Sequence, residues 1–373
     1  MRTALIHDWL TGMRGGEKVL EVLCDLHPEA DLFTLLHRPG SVSATIERHP
    51  IHTSFIQRLP RAATAYRNYL PLFPLAIEQF DLTGFDLVIS ASHCAAKAVV
   101  PPPGARHLCY CFSPMRYAWD QFDAYFGPAR VGWWKSRLVY GPILRHLARW
   151  DASTADRVHR FVAISDHVAG RIRRYYNRDA AVVYPPVDTG FFTPAPLGQA
   201  PIGDHVLIVS ALVPYKRIDL AVDACTRMGL RLRIVGEGPE RADLEARAGA
   251  SVEFLGPLTN EQIRDEYRMA RAVLLPGEED FGIAPVEAQS CGRPVVALGR
   301  GGALETVTDG ETGVHVPDAT VEALVAALER MARLSWDEGH IRASAERFSM
   351  ARHREGLMRV TGETMAAPVG TRW

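Results

Sequence analysis

Short apolar runs separated by amphipathic stretches recur along the whole chain. Thr3–Ile6 is the first. Similar runs follow at Phe85–Ser90, Arg106–Phe112, Val158–Ile164, Ala180–Tyr184, His205–Ser210, Leu230–Val235, Val252–Gly256 and Ala272–Leu275. Each has the length of a buried strand. Between them the apolar positions fall at helical spacing, as at Val19, Leu20, Val22 and Leu23 within a helix predicted over Glu17–Leu26. Ser165 reads as the cap of a helix from Asp166. Thr259 and Gln262 form a capping box for a helix reaching about Ala270. Further helices are predicted from Asp219 and from about Pro285. Alternating strands and helices predict parallel sheets, hence the α/β class. The Pro- and Gly-rich run from Pro185 to about Gly203 interrupts the alternation and predicts an interdomain linker. The expected division is 1–200 and 201–349, with 350–373 as a terminal segment.

Composition refines this picture. A chain of 373 residues can fill two cores. It is 47% hydrophobic and 23% charged, ordinary for an α/β protein. No apolar run has transmembrane length, and Met1 leads directly into a strand rather than a leader. The six cysteines lack disulfide or zinc spacing, and Cys109 and Cys111 read as a reduced pair on one strand face. A cytoplasmic protein is expected. The net charge of −1 hides an asymmetry: residues 1–187 carry 22 Lys and Arg against 16 Asp and Glu, while the remainder carries 20 against 27. The basic half suggests an anionic partner, such as a phospholipid surface or a lipid-linked phosphate. No recognition motif points to nucleic acid. Two acid-free stretches combine arginines with aromatic residues, 48–77 and 131–150. Each fits either an anionic membrane interface or a helix packed on the core with a basic outer face.

Pro276–Gly302 carries the densest candidate chemistry. Glu279 and Glu287 stand eight positions apart, the first in a loop and the second expected in the first turn of a helix. A helix N-terminus suits phosphate, and carboxylates accept hydrogen bonds from sugar hydroxyls. The combination predicts a nucleotide-sugar site; the alternative is a surface helix with two solvated acids. Asp8 lies at the end of the first strand, and Gly15 and Gly16 open the next helix, where backbone amides can meet phosphate. His93 ends another strand, as a sugar contact or a structural histidine. In Arg116-Tyr117-Ala118-Trp119-Asp120, the arginine suits phosphate, the rings suit sugar faces and the acid suits hydroxyls. A packed turn with an internal Arg–Asp pair is the other reading. Lys216 follows the strand at 205–210 and can neutralise a leaving group. The Gly236-x-Gly238-Pro turn lacks the dinucleotide fingerprint, so hydride chemistry is not indicated.

The run Glu279, Phe281-Gly282, Pro285, Glu287-Ala288, Cys291-Gly292, Pro294-Val295 resembles the E-x7-E signature of retaining GT-B glycosyltransferases. Tyr110–Asp120 resembles a block of bacterial GDP-mannose-type mannosyltransferases of O-antigen and exopolysaccharide assembly. Gly301-Gly302 and Asp309–Gly313 continue the family pattern. The resemblance implies two Rossmann-like domains facing each other across a cleft, with residues 350–366 crossing back to the first. It implies donor binding by Gly15, Gly16, Lys216, Gly236, Glu279, Phe281, Gly282, Ile283 and Glu287. Glu279 would hold the hexose and Glu287 the ribose. His93 and Asp120 would act on the acceptor side with Asp8, Arg116, Tyr117 and Trp119. Arg217 would join the donor site; Ala211 departs from the family, which has an arginine there, so either Arg217 or another cation compensates, or the phosphate grip is weaker. The implied reaction is metal- and cofactor-independent transfer of mannose from GDP-mannose to a lipid-linked glycan at the inner membrane face. Also open are a UDP-sugar donor, a GT-B epimerase, and a non-catalytic sugar-nucleotide-binding subunit of a polysaccharide assembly complex.

Overall fold

Seven parallel strands gather most of the apolar runs of the first half: β1 (Thr3–His7), β2 (Asp31–Thr34), β3 (Ile51–Thr53), β4 (Leu87–Ser92), β5 (Arg106–Cys111), β6 (Arg160–Ala163) and β7 (Ala180–Val182). Their order across the sheet is β3-β2-β1-β4-β5-β6-β7. Every residue of β1, β4 and β5 is buried, as expected when helices cover both faces of a parallel sheet. The computed structural model describes residues 1–196, 203–368 and 370–373. It divides into two units, Met1–Tyr184 with Arg354–Trp373, and Pro185–His353. The expected boundary between residues 200 and 201 lies outside the described residues.

The second unit has six parallel strands: β8 (His205–Val209), β9 (Arg231–Val235), β10 (Val252–Gly256), β11 (Ala272–Leu275), β12 (Val295–Leu298) and β13 (Gly313–Val316), ordered β10-β9-β8-β11-β12-β13. In each sheet the strand order reverses once, between β1 and β4 and between β8 and β11. At such a reversal the connections leave toward opposite sides, opening a crevice beyond the carboxyl ends of the two strands. The helix Met350–Ala366 brings residues 354–373 into the first unit.

The capping signals hold in detail. Ser165 accepts from the Val168 amide at 3.1 Å, and Thr259 and Gln262 form both bonds of their box. Short β2 and β3, with too few apolar positions to stand out, were not expected from the sequence. The stretch 48–77 corrects one expectation. Ile56, Tyr66, Leu70 and Phe73 are buried in the first core, so its aromatic content serves packing rather than an interface. All six cysteines are buried and free.

A buried ion pair fixes one side of this core. Lys97 (1% exposed) lies 3.0 Å from Asp151 Oδ1 and donates to Thr154 Oγ1 at 2.9 Å. Asp151 Oδ2 accepts from Trp119 Nε1 at 2.7 Å and from the Tyr176 hydroxyl at 2.8 Å. Removing one partner of such a pair leaves an uncompensated charge in the core. Lys97→Met should therefore cost about 3–5 kcal/mol, read as a lowered Tm and denaturant midpoint. Wild-type stability in the variant would rule out this role.

Candidate functional site

In the second unit the site is assembled from loops at the carboxyl ends of β8, β9, β11 and β12. After β8 the chain enters a tight turn, Pro214–Lys216. After β11, Gly277 passes directly against it: a Cβ there would lie 2.5 Å from Tyr215 O and 2.7 Å from Lys216 Cα. Only a glycine permits that passage. It delivers the Glu279 carboxylate to the Lys216 ammonium, and the two form an ion pair. Glu279 is only 8% exposed. Its carbonyl accepts from the Gly302 amide at 2.8 Å. A Cβ on Gly302 would fall 2.4 Å from Phe281 Cα, so the loop after β12 also needs glycine. Phe281 is buried edge-on to Phe348, centroids 5.3 Å apart. Beside β9, Gly236 lies against Ser210, and the Leu212 amide bonds to Glu237 O at 2.9 Å. Lys216, Gly236, Glu279, Phe281 and Gly282 thus lie on loops joined by backbone contacts, and Ile283 opens the helix that follows.

Two details differ from expectation. The helix starts at Ile283 after Gly282, so Glu287 sits in its second turn, not its first. There it is 7% exposed, with Oε2 accepting from the buried Tyr267 hydroxyl at 3.1 Å. Burial, then the Glu287 charge, pushes the Tyr267 phenol well above its usual range, keeping it a donor. No local pattern links Tyr267 to Glu287, so sequence reading missed it. The second detail is the pairing of Arg217. Its backbone is left-handed (φ 50°), and its guanidinium closes on Asp219 through bonds of 3.1 and 3.2 Å. Its charge is thus engaged by an acid in the first turn of the following helix.

In the first unit the residues gather where β1 and β4 end. Asp8, expected to face an acceptor, is fully buried. Its oxygens accept from the amides of His93, Cys94, Ala95 and Ala96 at 2.6–3.0 Å. It anchors the loop after β4, and Oδ2 also lies 3.1 Å from His93 Nδ1. The contact orients the imidazole so that Nε2 is the nitrogen left for other partners. The ring meets Trp9 edge-on at 4.4 Å. Burial lowers the His93 pKa, with the Asp8 charge opposing that shift.

Gly15 and Gly16 are the first two residues of the helix, which begins two positions earlier than predicted. A methyl group at Gly16 would touch Phe112 and His7 at ordinary distances of 3.5 and 3.6 Å, so packing alone does not demand glycine there. His7 is fully buried, 3.6 Å from Glu17 Oε1. Burial raises the Glu17 carboxyl, but the hydrogen bond and charge of His7 outweigh it and hold Glu17 below its ordinary value.

The 116–120 block is largely internally engaged. Trp119 bonds to Asp151 and stacks on Tyr175 at 4.6 Å, so one ring face is covered. Asp120 accepts from Arg171 and the Tyr175 hydroxyl. Arg171, from the helix Asp166–Tyr176, pairs with the Asp120 carboxylate. Tyr117 packs edge-on to Tyr125 at 6.0 Å. Trp119 is half-buried with one ring face covered, whereas Asp120 stays exposed while paired with Arg171 and Tyr175. Lys97, Asp151, Arg171 and Tyr175 were missed because they meet this block only through the fold. Among the described residues, no three His, Cys, Asp or Glu side chains form a metal-ligand group.

Residues 201–347 match the sequence model of the family described as glycosyl transferases group 1. A D-inositol 3-phosphate glycosyltransferase of Mycobacteroides abscessus is 34% identical over 234 residues, covering 52% of each chain. One from Streptomyces bingchenggensis is 32% identical over 244 residues, covering 55% of this chain and 53% of its own. The chain thus spans about half the length of the curated relatives it matches. The lipopolysaccharide outer core galactosyltransferase WaaB is similar over 97% of this chain and 99% of its own, at 18% identity and TM-score 0.64. HepE of Anabaena, solved with UDP and with UDP-glucose, covers 97% of this chain and 100% of its own, at 16% identity and TM-score 0.68. These structures show the GT-B fold, with its two parallel-sheet Rossmann-like domains.

The Asp8–His93 contact makes a titration prediction. Asp8→Asn removes the charge that opposes burial, so the His93 midpoint should fall further, followed by NMR of its imidazole protons. The Asn amide would also face donors in the loop, costing about 1–3 kcal/mol. A midpoint that stays or rises would refute the assignment.

Proposed function

We propose that the chain is a retaining glycosyltransferase that moves a hexose from a nucleoside diphosphate sugar to a lipid-linked glycan in cell-surface polysaccharide synthesis. The Lys216–Glu279 pair at the β8/β11 reversal, with Glu287 on the adjoining helix, is the observation that carries this reading. A cation and an anion side by side suit a substrate with phosphate at one end and hydroxyls at the other. Lys216 neutralises the departing diphosphate. Glu279 accepts from the 3- and 4-hydroxyls of the hexose, and Glu287 holds the ribose. The amides of Gly282 and Ile283 supply further positive potential. The bond from the anomeric carbon to the diphosphate oxygen breaks while the acceptor oxygen bonds to that carbon on the same face. The leaving phosphate oxygen takes the acceptor proton. No metal or cofactor is required in this scheme. In the first unit His93 receives the acceptor, with Asp8 as its positioning residue.

The resemblance of the 110–120 block supports mannose from GDP-mannose. A UDP-sugar donor is the second reading, favoured by the structural likeness to HepE solved with UDP-glucose. The enzyme would work peripherally at the cytoplasmic membrane face. Among the described residues, no helix is long and apolar enough to cross a membrane.

A thermal-shift panel of GDP, UDP, ADP and their sugar adducts, with EDTA present, separates these readings, because a ligand of the folded state raises Tm by mass action. Selective stabilisation by GDP-mannose fits the first reading and by UDP-sugars the second; no shift with any nucleotide would reject both. Glu279→Ala should lower kcat by roughly ten- to a hundredfold with little change in nucleotide affinity, the loss of a charged hydrogen bond. Glu287→Ala should instead weaken nucleotide binding, measured by calorimetry; unchanged binding removes it from the site.

A further inference from the structure

The segment after Pro128–Val131 exposes more apolar surface than its place in the fold explains. Trp133, Trp134, Leu138 and Val139 are 55%, 70%, 61% and 48% exposed. Seven consecutive positions thus hold four large apolar side chains open to solvent, the two indoles edge to face at 4.8 Å. Their backbone is helical: a wide helical turn, Lys135–Tyr140, runs into the helix Gly141–Ser153. Ser136, Leu144 and Leu147 anchor its other side in the protein. Clusters of this kind on a folded surface mark contact sites.

The charges around the cluster say what it contacts. Lys135, Arg137, Arg145 and Arg149 are exposed and have no ion-pair partner among the described residues. Elsewhere arginines are commonly paired, as at Arg157–Glu78 and Arg171–Asp120. There is no acid between residues 131 and 150. Unpaired cations beside exposed indoles match a headgroup region, where tryptophan sits at the boundary and lysine and arginine reach phosphates. The other basic–aromatic stretch exposes Leu72 and Leu75, but its Tyr66 and Phe73 are core residues, so it offers no exposed indole or phenyl ring of this kind.

We propose that Trp133–Val139, with the cations Lys135, Arg137, Arg145 and Arg149, is a docking wedge for an anionic lipid bilayer. It rests on the lipid-linked acceptor reading only for its purpose, because bilayer binding needs no turnover. The wedge enters the interface with its apolar side chains while the cations engage lipid phosphates.

Co-sedimentation of the full chain with vesicles tests this. Vesicles of phosphatidylcholine with phosphatidylglycerol should bind it, and phosphatidylcholine alone should bind far less, with salt weakening the former. Lys135→Ala with Arg137→Ala should lower partitioning by about 25-fold, at about fivefold per cation. Trp133→Ala with Trp134→Ala should lower it by roughly tenfold or more. Both variants should keep the wild-type Tm and the wild-type nucleotide shift, so a failed donor reading would be seen separately in the same samples. Equal binding to neutral vesicles, or variants that bind like wild type, would overturn the proposal. So would loss of self-association in the tryptophan variant, by sedimentation velocity, without any change in vesicle binding.

Discussion

The reversal of strand order in each parallel sheet is the constraint on which the rest depends. All strands of a sheet point the same way, so their carboxyl-end loops collect along one edge. At the reversal those loops diverge and leave backbone and side chains open to a ligand. Lys216 follows β8 and Glu279 follows β11, the two strands of the second reversal. Asp8 and His93 follow β1 and β4, those of the first. Residues far apart in sequence become neighbours because hydrogen-bonded strands end together.

Steric closeness refines what topology makes possible. In the second unit, Gly277 and Gly302 allow backbones to pass within distances that any Cβ would block. The acidic loop is thereby held against the lysine turn, and a charge pair forms in a largely buried place. In the first unit the same end is reached with a carboxylate. Asp8 gathers four amides of the loop that carries His93, and a buried acceptor of that kind is stable only when its hydrogen bonds are made. The residue expected from sequence to contact an acceptor is, in the fold, the support of the loop that carries His93.

Charged and aromatic residues divided in a way that sequence could not anticipate. Tyr66 and Phe73 became core, while Trp133 and Trp134 stayed outside. Both stretches have the same composition, basic and aromatic without acids. What separates them is whether a sheet face lies opposite, and that is settled by chain path. Trp119 and Asp120 show the same dependence: their side chains are engaged by Asp151, Arg171 and Tyr175, brought in by later helices.

The sequence by itself determined the α/β class, most of the strands, and the helix caps at Ser165 and Thr259. These rest on short-range physics: apolar periodicity, capping hydrogen bonds and glycine at tight turns. The start of the helix at Ile283 was less legible, because Gly282 can end a loop or open a helix with equal ease. Only the tertiary structure decided that Arg217 closes on Asp219, that Tyr267 supports Glu287, that Asp8 is buried, and which aromatic stretch remains at the surface. Each of these is set by partners that are close only in the folded chain, or by the burial that folding imposes, and neither leaves a local pattern in the sequence.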